Sequence, residues 1–340
     1  MHSLLHDVRY AVRMMRKAPG FTAVAILSLA VGIGANTTLF TITDAVLLRT
    51  LPVPEADRLV LFNWQAPRAF RTPGLRGTFV NSGYAPGMWG SSTFHHRMLA
   101  AFQAQQQDPS TPLEHLFAFA AIPGMTILAS GEADTADGQV VTGGYFAGLG
   151  VSAQLGRVLQ PADDDAGAAP VAVLSHRYWQ ERFGGDPGVA GRQIAVNNVI
   201  VDIVGVTPAG FRTPSQVGRE PAISLPMSLA TRLEKTSPMA DTPERVAPYW
   251  ALVMGRMKDG ATRAQARGYF AATFQTIAME LMPPPRRPGE PATLEPKDYP
   301  ELLMLSGSRG LWEMRSVYSE QITILFGVVA LVLLIACANV

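Results

Sequence analysis

Two long charge-free segments bracket everything else in this 340-residue chain. One runs from Ala18 to Thr43; the other follows Gln321 as ITILFGVVALVLLIACANV and reaches Val340. A bilayer core about 30 Å thick needs ~20 apolar residues rising about 1.5 Å each, and both segments are that long. Hydrocarbon offers backbone polar groups no partner, so such segments must be helical. The pattern predicts transmembrane helices over 20–48 and 319–340, with the lipid bilayer as their partner and a single extracytoplasmic region over 49–318 between them. A cleavable leader would have an apolar region of only ~7–15 residues before a small-residue cleavage site, so the first segment reads as a retained span.

Orientation follows from Arg9, Arg13, Arg16 and Lys17, opposed before the first span only by Asp7. Positive charge beside a span stays cytoplasmic, and loops as long as 49–318 cross largely regardless of charge. The expected location is the inner (plasma) membrane, with the N-terminus cytoplasmic and the large domain outside. Leu4, Leu5, Val8, Val12 and Met15 recur at helical spacing while Arg9, Arg13 and Arg16 take another face, which predicts an amphipathic interfacial helix over 1–19 ended by Pro19-Gly20. Ser28, Gly32 and Asn36, at intervals of four, form a small-residue stripe on which the first span can pack closely.

Lys plus Arg total 28 and Asp plus Glu 27, with no basic stripe interleaved with aromatics, so nucleic acid is not an expected partner. The one cysteine, Cys337, lies in the second apolar segment, where a thiol is inert and buried. Disulfides therefore play no part in the region between.

That region mixes strands and helices without a strict βαβ rhythm, so its fold class is α+β. Strands are expected at Leu59–Trp64, Leu116–Leu128 with a break at Pro123-Gly124, Gln139–Thr142, Val171–Leu174 and Tyr249–Met257. Helices are expected over Ser91–Gln106, Tyr145–Leu149, from Ser175 as cap to Phe183 with Gly184-Gly185 as stop, and over Ala261–Leu281 with Thr262 near its cap. Gln193–Val196 and Val199–Val206 flank Asn197-Asn198, a two-residue link suited to positive φ and so to a β-hairpin. Pro283–Pro300 reads as loop, after which the chain is expected to return to the membrane, and 213–247, rich in proline and poor in pattern, reads as a second lobe or insertion.

The opening DVRYAVRMMRKAPGFTAVAILSLAVGIGANTTLFTITDAVLLRTLPVPEADRLV resembles that of MacB-like permeases of the FtsX superfamily, especially the duplicated orphan permease branch. The resemblance continues in GGYFAGLGVSAQLGRVLQPADD, APVAVLSHRYWQERFGGDPGVAGRQIAVNNVIVDIVGVTPAGF, GRMKDGATRAQA and LFGVVALVLLIACANV. It implies a MacB-like periplasmic core domain between the first and second membrane helices, moved by a separate ABC ATPase in export or mechanotransmission. It also implies a homodimer and a periplasmic adaptor as partners. The chain carries no GxxxxGK[ST] phosphate loop, so ATP must be handled by another polypeptide. The family continues beyond the second helix, and an ending at Val340 leads one to expect a truncated copy.

Side-chain chemistry is sparse: no catalytic, cofactor-binding or metal-binding residues are assigned, and the chain is not expected to be an enzyme. Asp163, Asp164 and Asp165 lack the alternating oxygen ligands of a calcium loop and read as a solvated acidic turn. His95, His96 and His115 lack zinc-site spacing and read as exposed helix residues. Ser175-His176 has no G-x-S-x-G surround, and Ser175 reads as a helix cap. The alternative to a permease subunit is a membrane-anchored periplasmic binding or sensor module without transport.

Overall fold

A computed structural model describes residues 13, 15–17, 19–43, 50–76, 85–165, 167–214, 220–233, 248–285, 289, 291–311, 324–331, 334 and 337. The chain divides into two compact units, Thr50–Ser316 on the one hand and Met1–Arg49 with Val317–Val340 on the other. The larger unit lies within two residues of the bracket 49–318.

In the smaller unit, helix α1 (Pro19–Thr43) is 25 residues long and carries no charge. Val24, Ile26, Leu27, Val31, Ile33 and Phe40 are all exposed, whereas Ser28, Gly32 and Asn36 are less so, making the small-residue stripe its most covered side. Residues 324–331 are also helical, and Cys337 is exposed. Among the described residues no helix is long and apolar enough to cross a membrane. The interfacial helix expected over 1–19 lies almost wholly outside the described residues.

Among the described residues the larger unit is built on one twelve-stranded sheet. Its strands are β1 (Leu59–Pro67), β2 (Met88–Ser91), β3 (Thr93–Phe94), β4 (Leu113–Ala129), β5 (Glu132–Val141), β6 (Leu155–Gly156), β7 (Val171–Leu174), β8 (Gln193–Val196), β9 (Val199–Val206), β10 (Ile223–Pro226), β11 (Ala251–Met257) and β12 (Glu301–Ser306). Their order is β12-β1-β11-β4-β5-β10-β7-β9-β6, with β2 on β1, β3 on β11 and β8 bridging β4 and β9. Helices α2 (His96–Gln106), α3 (Tyr145–Leu149), α4 (His176–Phe183), α5 (Ala230–Leu233) and α6 (Arg263–Glu280) complete it.

Both faces of the sheet are covered, which is why the central strands read as continuous apolar runs. Alternate residues point opposite ways. Val60, Phe62 and Trp64 of β1 join Ala118 and Ala120 of β4 in the main core, together with Phe102 of α2 and Phe270 and Phe274 of α6. Leu59, Leu61, Phe117, Phe119 and Met254 face the other way, onto Tyr145, Phe146 and Leu149 of α3. Phe62 sits at the centre of the main core, 5.3–6.2 Å from the rings of Phe94, Phe102 and Phe270.

Local signals act as expected at several ends. Ser175 caps α4 by accepting from Tyr178 N–H at 3.2 Å, and Gly184 stops it with φ 60°. Asn197 and Asn198 take φ 46° and 66° in the β8–β9 hairpin. Thr262 and Gln265 form a reciprocal capping box on α6. Thr262→Ala is expected to lower domain stability by about 1 kcal/mol, read as a shift in the urea midpoint.

Close approach requires glycine at 148, where a Cβ would collide with the Phe117 ring. Gly148→Val is expected to cost about 2 kcal/mol or more by overpacking this face, and a melting temperature unchanged from wild type would contradict that.

Three sequence expectations need correction. Ser91–Phe94 is strand, not helix: the Ser91 and Thr93 hydroxyls bond each other at 2.9 Å, and helix α2 starts only after His95, whose ring nitrogen caps it. The segment after Pro300 does not leave the domain directly but returns as edge strand β12. Within 213–247, Ile223–Pro226 is a strand of the main sheet, parallel to β5 and antiparallel to β7, while 234–247 lies outside the described residues.

Candidate functional site at the chain connections

The first and last strands of the domain are neighbours. β1 pairs with β12 from Val60↔Ser306 to Gln65↔Glu301, and beyond the strand ends Leu51 N–H donates to Ser308 C=O and Gly307 N–H to Leu59 C=O, both at 2.8 Å. The first and last segments described in the domain, at Leu51 and Ser308, are therefore held side by side.

Two arginines clamp this end. Arg256 on β11 is 4% exposed, and its guanidinium donates to the carbonyls of Gly148 (2.9 Å), Pro54 (3.0 Å) and Glu55 (3.3 Å), with the Glu55 carboxylate at 3.6 Å. It joins the inbound segment to α3. Burial first, and then the charge of Arg58, lower the Arg256 pKa, while Glu55, Glu114 and Asp57 oppose them. Arg58 donates to Met257 C=O through Nε (2.9 Å) and Nη2 (2.7 Å). It also pairs with Glu55 (2.9 Å), Glu114 (2.6 Å) and Asp259 (3.2 Å). Partial burial lowers its pKa, but these three carboxylates together outweigh that and hold it above its ordinary value. Glu55, between them, adopts φ 47°, an uncommon conformation for a residue with a side chain. The sequence offered only the isolated charges of this clamp, because Arg256 and Glu55 meet solely through strand pairing.

Of the groups weighed as chemical candidates, all but His115 lie elsewhere. Ser175 is the α4 cap, and His176 N–H donates to Thr207 Oγ1 at 3.2 Å. His95 is fully buried rather than exposed, stacked on His96 at 4.1 Å; its place after β3 turns it inward. His115 lies on β4 opposite Arg256. Among the described residues no group of three or more His, Cys, Asp and Glu could hold a metal ion.

The acidic turn is not simply solvated. Asp163 takes two bonds from Arg157 (2.6 and 2.8 Å) and one from Gln160 N–H (2.8 Å). Burial pushes its carboxyl up, yet these bonds win and hold it below the usual range. Asp164 accepts from Ser228 N–H at 2.7 Å, but burial prevails and its pKa is raised. The two act oppositely on stability. Asp163, depressed in the fold, stabilises above its unfolded pKa of ~3.9, and this is lost as pH falls through its folded value. The contribution of Asp164 is present below that unfolded pKa and lost as pH rises through its folded value. Asp163→Asn is therefore expected to cost about 1 kcal/mol at neutral pH, and Asp164→Asn to stabilise there. Urea unfolding of both variants between pH 3 and 7, roughly the carboxylate titration range and above, checks the signs.

The profile of the MacB-like periplasmic core domain matches residues 22–272, well over half of the chain. The chain belongs to the MacB-like periplasmic core domain family. The match begins inside α1 and ends inside α6, so it takes in the inbound segment, the clamp and all but β12 of the sheet. No curated protein matches this MacB-like chain. Among solved structures it is similar to the periplasmic region of MacB from Actinobacillus actinomycetemcomitans, at 10% identity and TM-score 0.46, covering 74% of this chain and 90% of that one. It is also similar to the extracellular domain of the noncanonic ABC-type transporter YknZ from Gram-positive bacteria, at 12% identity and TM-score 0.44, covering 72% and 99%.

Proposed function

We propose that this MacB-like chain is a permease subunit of an ABC-type export or mechanotransmission system, embedded by helices over 20–48 and 319–340. Its 50–316 domain stands outside the cytoplasm and responds to a separate ATPase. The observation that carries this reading is the β1–β12 pairing: two separated connections would dissipate a pull, whereas adjacent hydrogen-bonded strands deliver it together to one edge of a single sheet.

Membrane placement rests on the two charge-free segments of the sequence, not on a described spanning helix. A helix apolar on every side belongs in a core or in lipid, and α1 exposes large apolar side chains without a charge. Its hydroxyls count little against insertion, because Thr37, Thr38 and Thr41 donate to the carbonyls of Ile33, Gly34 and Thr37 at 2.8–2.9 Å. The test is affinity purification of the full chain from native membranes, where an ABC-type ATPase should co-purify in nucleotide-dependent amount. Recovery of the chain alone, or from the soluble fraction, would count against the proposal.

A further inference from the structure

The inbound segment 52–58 is fastened to the sheet by side chains. Among the described residues no backbone hydrogen bond joins it to a strand: Val53 N–H donates to Leu51 C=O and Arg58 N–H to Glu55 C=O, both local. None of its residues is buried, and Val53 reaches the second core only as a partly covered neighbour. Little apolar area therefore holds it down. Two guanidiniums do so instead: Arg256 donates to the carbonyls of Pro54 (3.0 Å) and Glu55 (3.3 Å), and Arg58 to Met257 C=O (2.7 and 2.9 Å).

The sequence also decides where this strap can bend. Pro52 and Pro54 lock their own φ, and each keeps the residue before it, Leu51 and Val53, extended. Freedom is left to Glu55, Ala56 and Asp57. Glu55 is the one that takes φ 47° and ψ 46°, a region disfavoured roughly tenfold for a residue with a Cβ. Its side chain gives the short turn Ala56–Arg58 no capping bond, and its carboxylate is 60% exposed, so its pairs with Arg58 and Arg256 offset little of that. Backbone strain persists only where the surroundings impose it, and it gathers in elements that switch. Here the imposing group is Arg256, which grips the two strap carbonyls while Nε holds Gly148 C=O at 2.9 Å.

We propose that 52–58 is a sprung strap, closed on Arg256 and able to open at Glu55 as a unit while the β1–β12 seam and both cores stay intact. Opening relaxes Glu55 to negative φ and frees two carbonyls from the guanidinium, so the inbound segment yields before the sheet does. The inference concerns the domain alone and does not rest on the permease reading.

Hydrogen exchange of the full chain in neutral detergent, read by mass spectrometry and corrected for intrinsic rates, follows the opening. The amides of 55–58 should exchange at least about tenfold faster than those of β1, because local opening outruns global unfolding. Glu55→Gly and Glu55→Ala both lose the carboxylate and differ only in the Cβ that positive φ opposes, so exchange of 56–58 should be about fivefold slower in the glycine variant. Glu55→Asn, whose short side chain tolerates the left-handed region, should fall between them. Thermal melts confirm that each variant is folded. Equal exchange in the strap and in β1 would show that the segment opens only with the whole domain and would overturn the proposal. So would a series in which alanine exchanges as slowly as glycine.

Discussion

Replacing Arg256 with methionine is expected to lower the unfolding free energy of the 50–316 domain by about 3 kcal/mol, the scale for emptying one side of a buried charged network. Methionine fills much of the volume but donates nothing, so the carbonyls of Gly148, Pro54 and Glu55 lose their shared donor. Unmet buried acceptors cost about 1–3 kcal/mol each, moderated where water can enter from the Glu55 side. Lysine should not rescue the loss, since one ammonium cannot reproduce the planar fork that reaches three carbonyls. Urea unfolding of the 50–316 unit, which contains both hydrophobic cores, measures this. A midpoint within error of wild type would show that the clamp is ornamental, and with it the rigid delivery of motion proposed for the chain connections.

Phe62→Ala should cost about 4 kcal/mol, in the range found for emptying a buried aromatic site. Phe62 is fully buried and surrounded by rings from β3, α2 and α6, elements far apart in sequence that cannot all close on the void. The same substitution at exposed Phe40 of α1 should leave the domain's urea midpoint unchanged, because Phe40 belongs to the other compact unit. A loss below about 1 kcal/mol at Phe62 would mean that the core collapses more freely than close packing allows.

What the sequence discloses and what it hides divide along physical lines. The cap at Ser175, the stop at Gly184, the turn at Asn197-Asn198 and the box at Thr262 are decided within four residues, so local chemistry reads them correctly. Strands β10 and β12 are decided elsewhere: Ile223–Pro226 and Glu301–Ser306 are too short to announce a period, and only β5, β7 and β1 make them strands. The first half of β5 was missed for a similar reason, since Glu132, Asp134 and Asp137 resemble a loop until β4 pairs with them. His95 and Asp163 read as exposed from sequence because burial of a polar side chain depends on what folds over it. The clamp is assembled from such distant pieces, and the family resemblance does not point to it.

The adjacency of β1 and β12 also sets a timetable for biogenesis. Gln65 and Glu301 lie 236 residues apart, so the earliest strand to be synthesised waits for the latest before that edge is sealed. Contacts this remote make folding slow, and until they form β1 presents an open apolar ladder to other chains. A ribosome that stalls before β12 should therefore release an aggregation-prone product even though every other strand has been made.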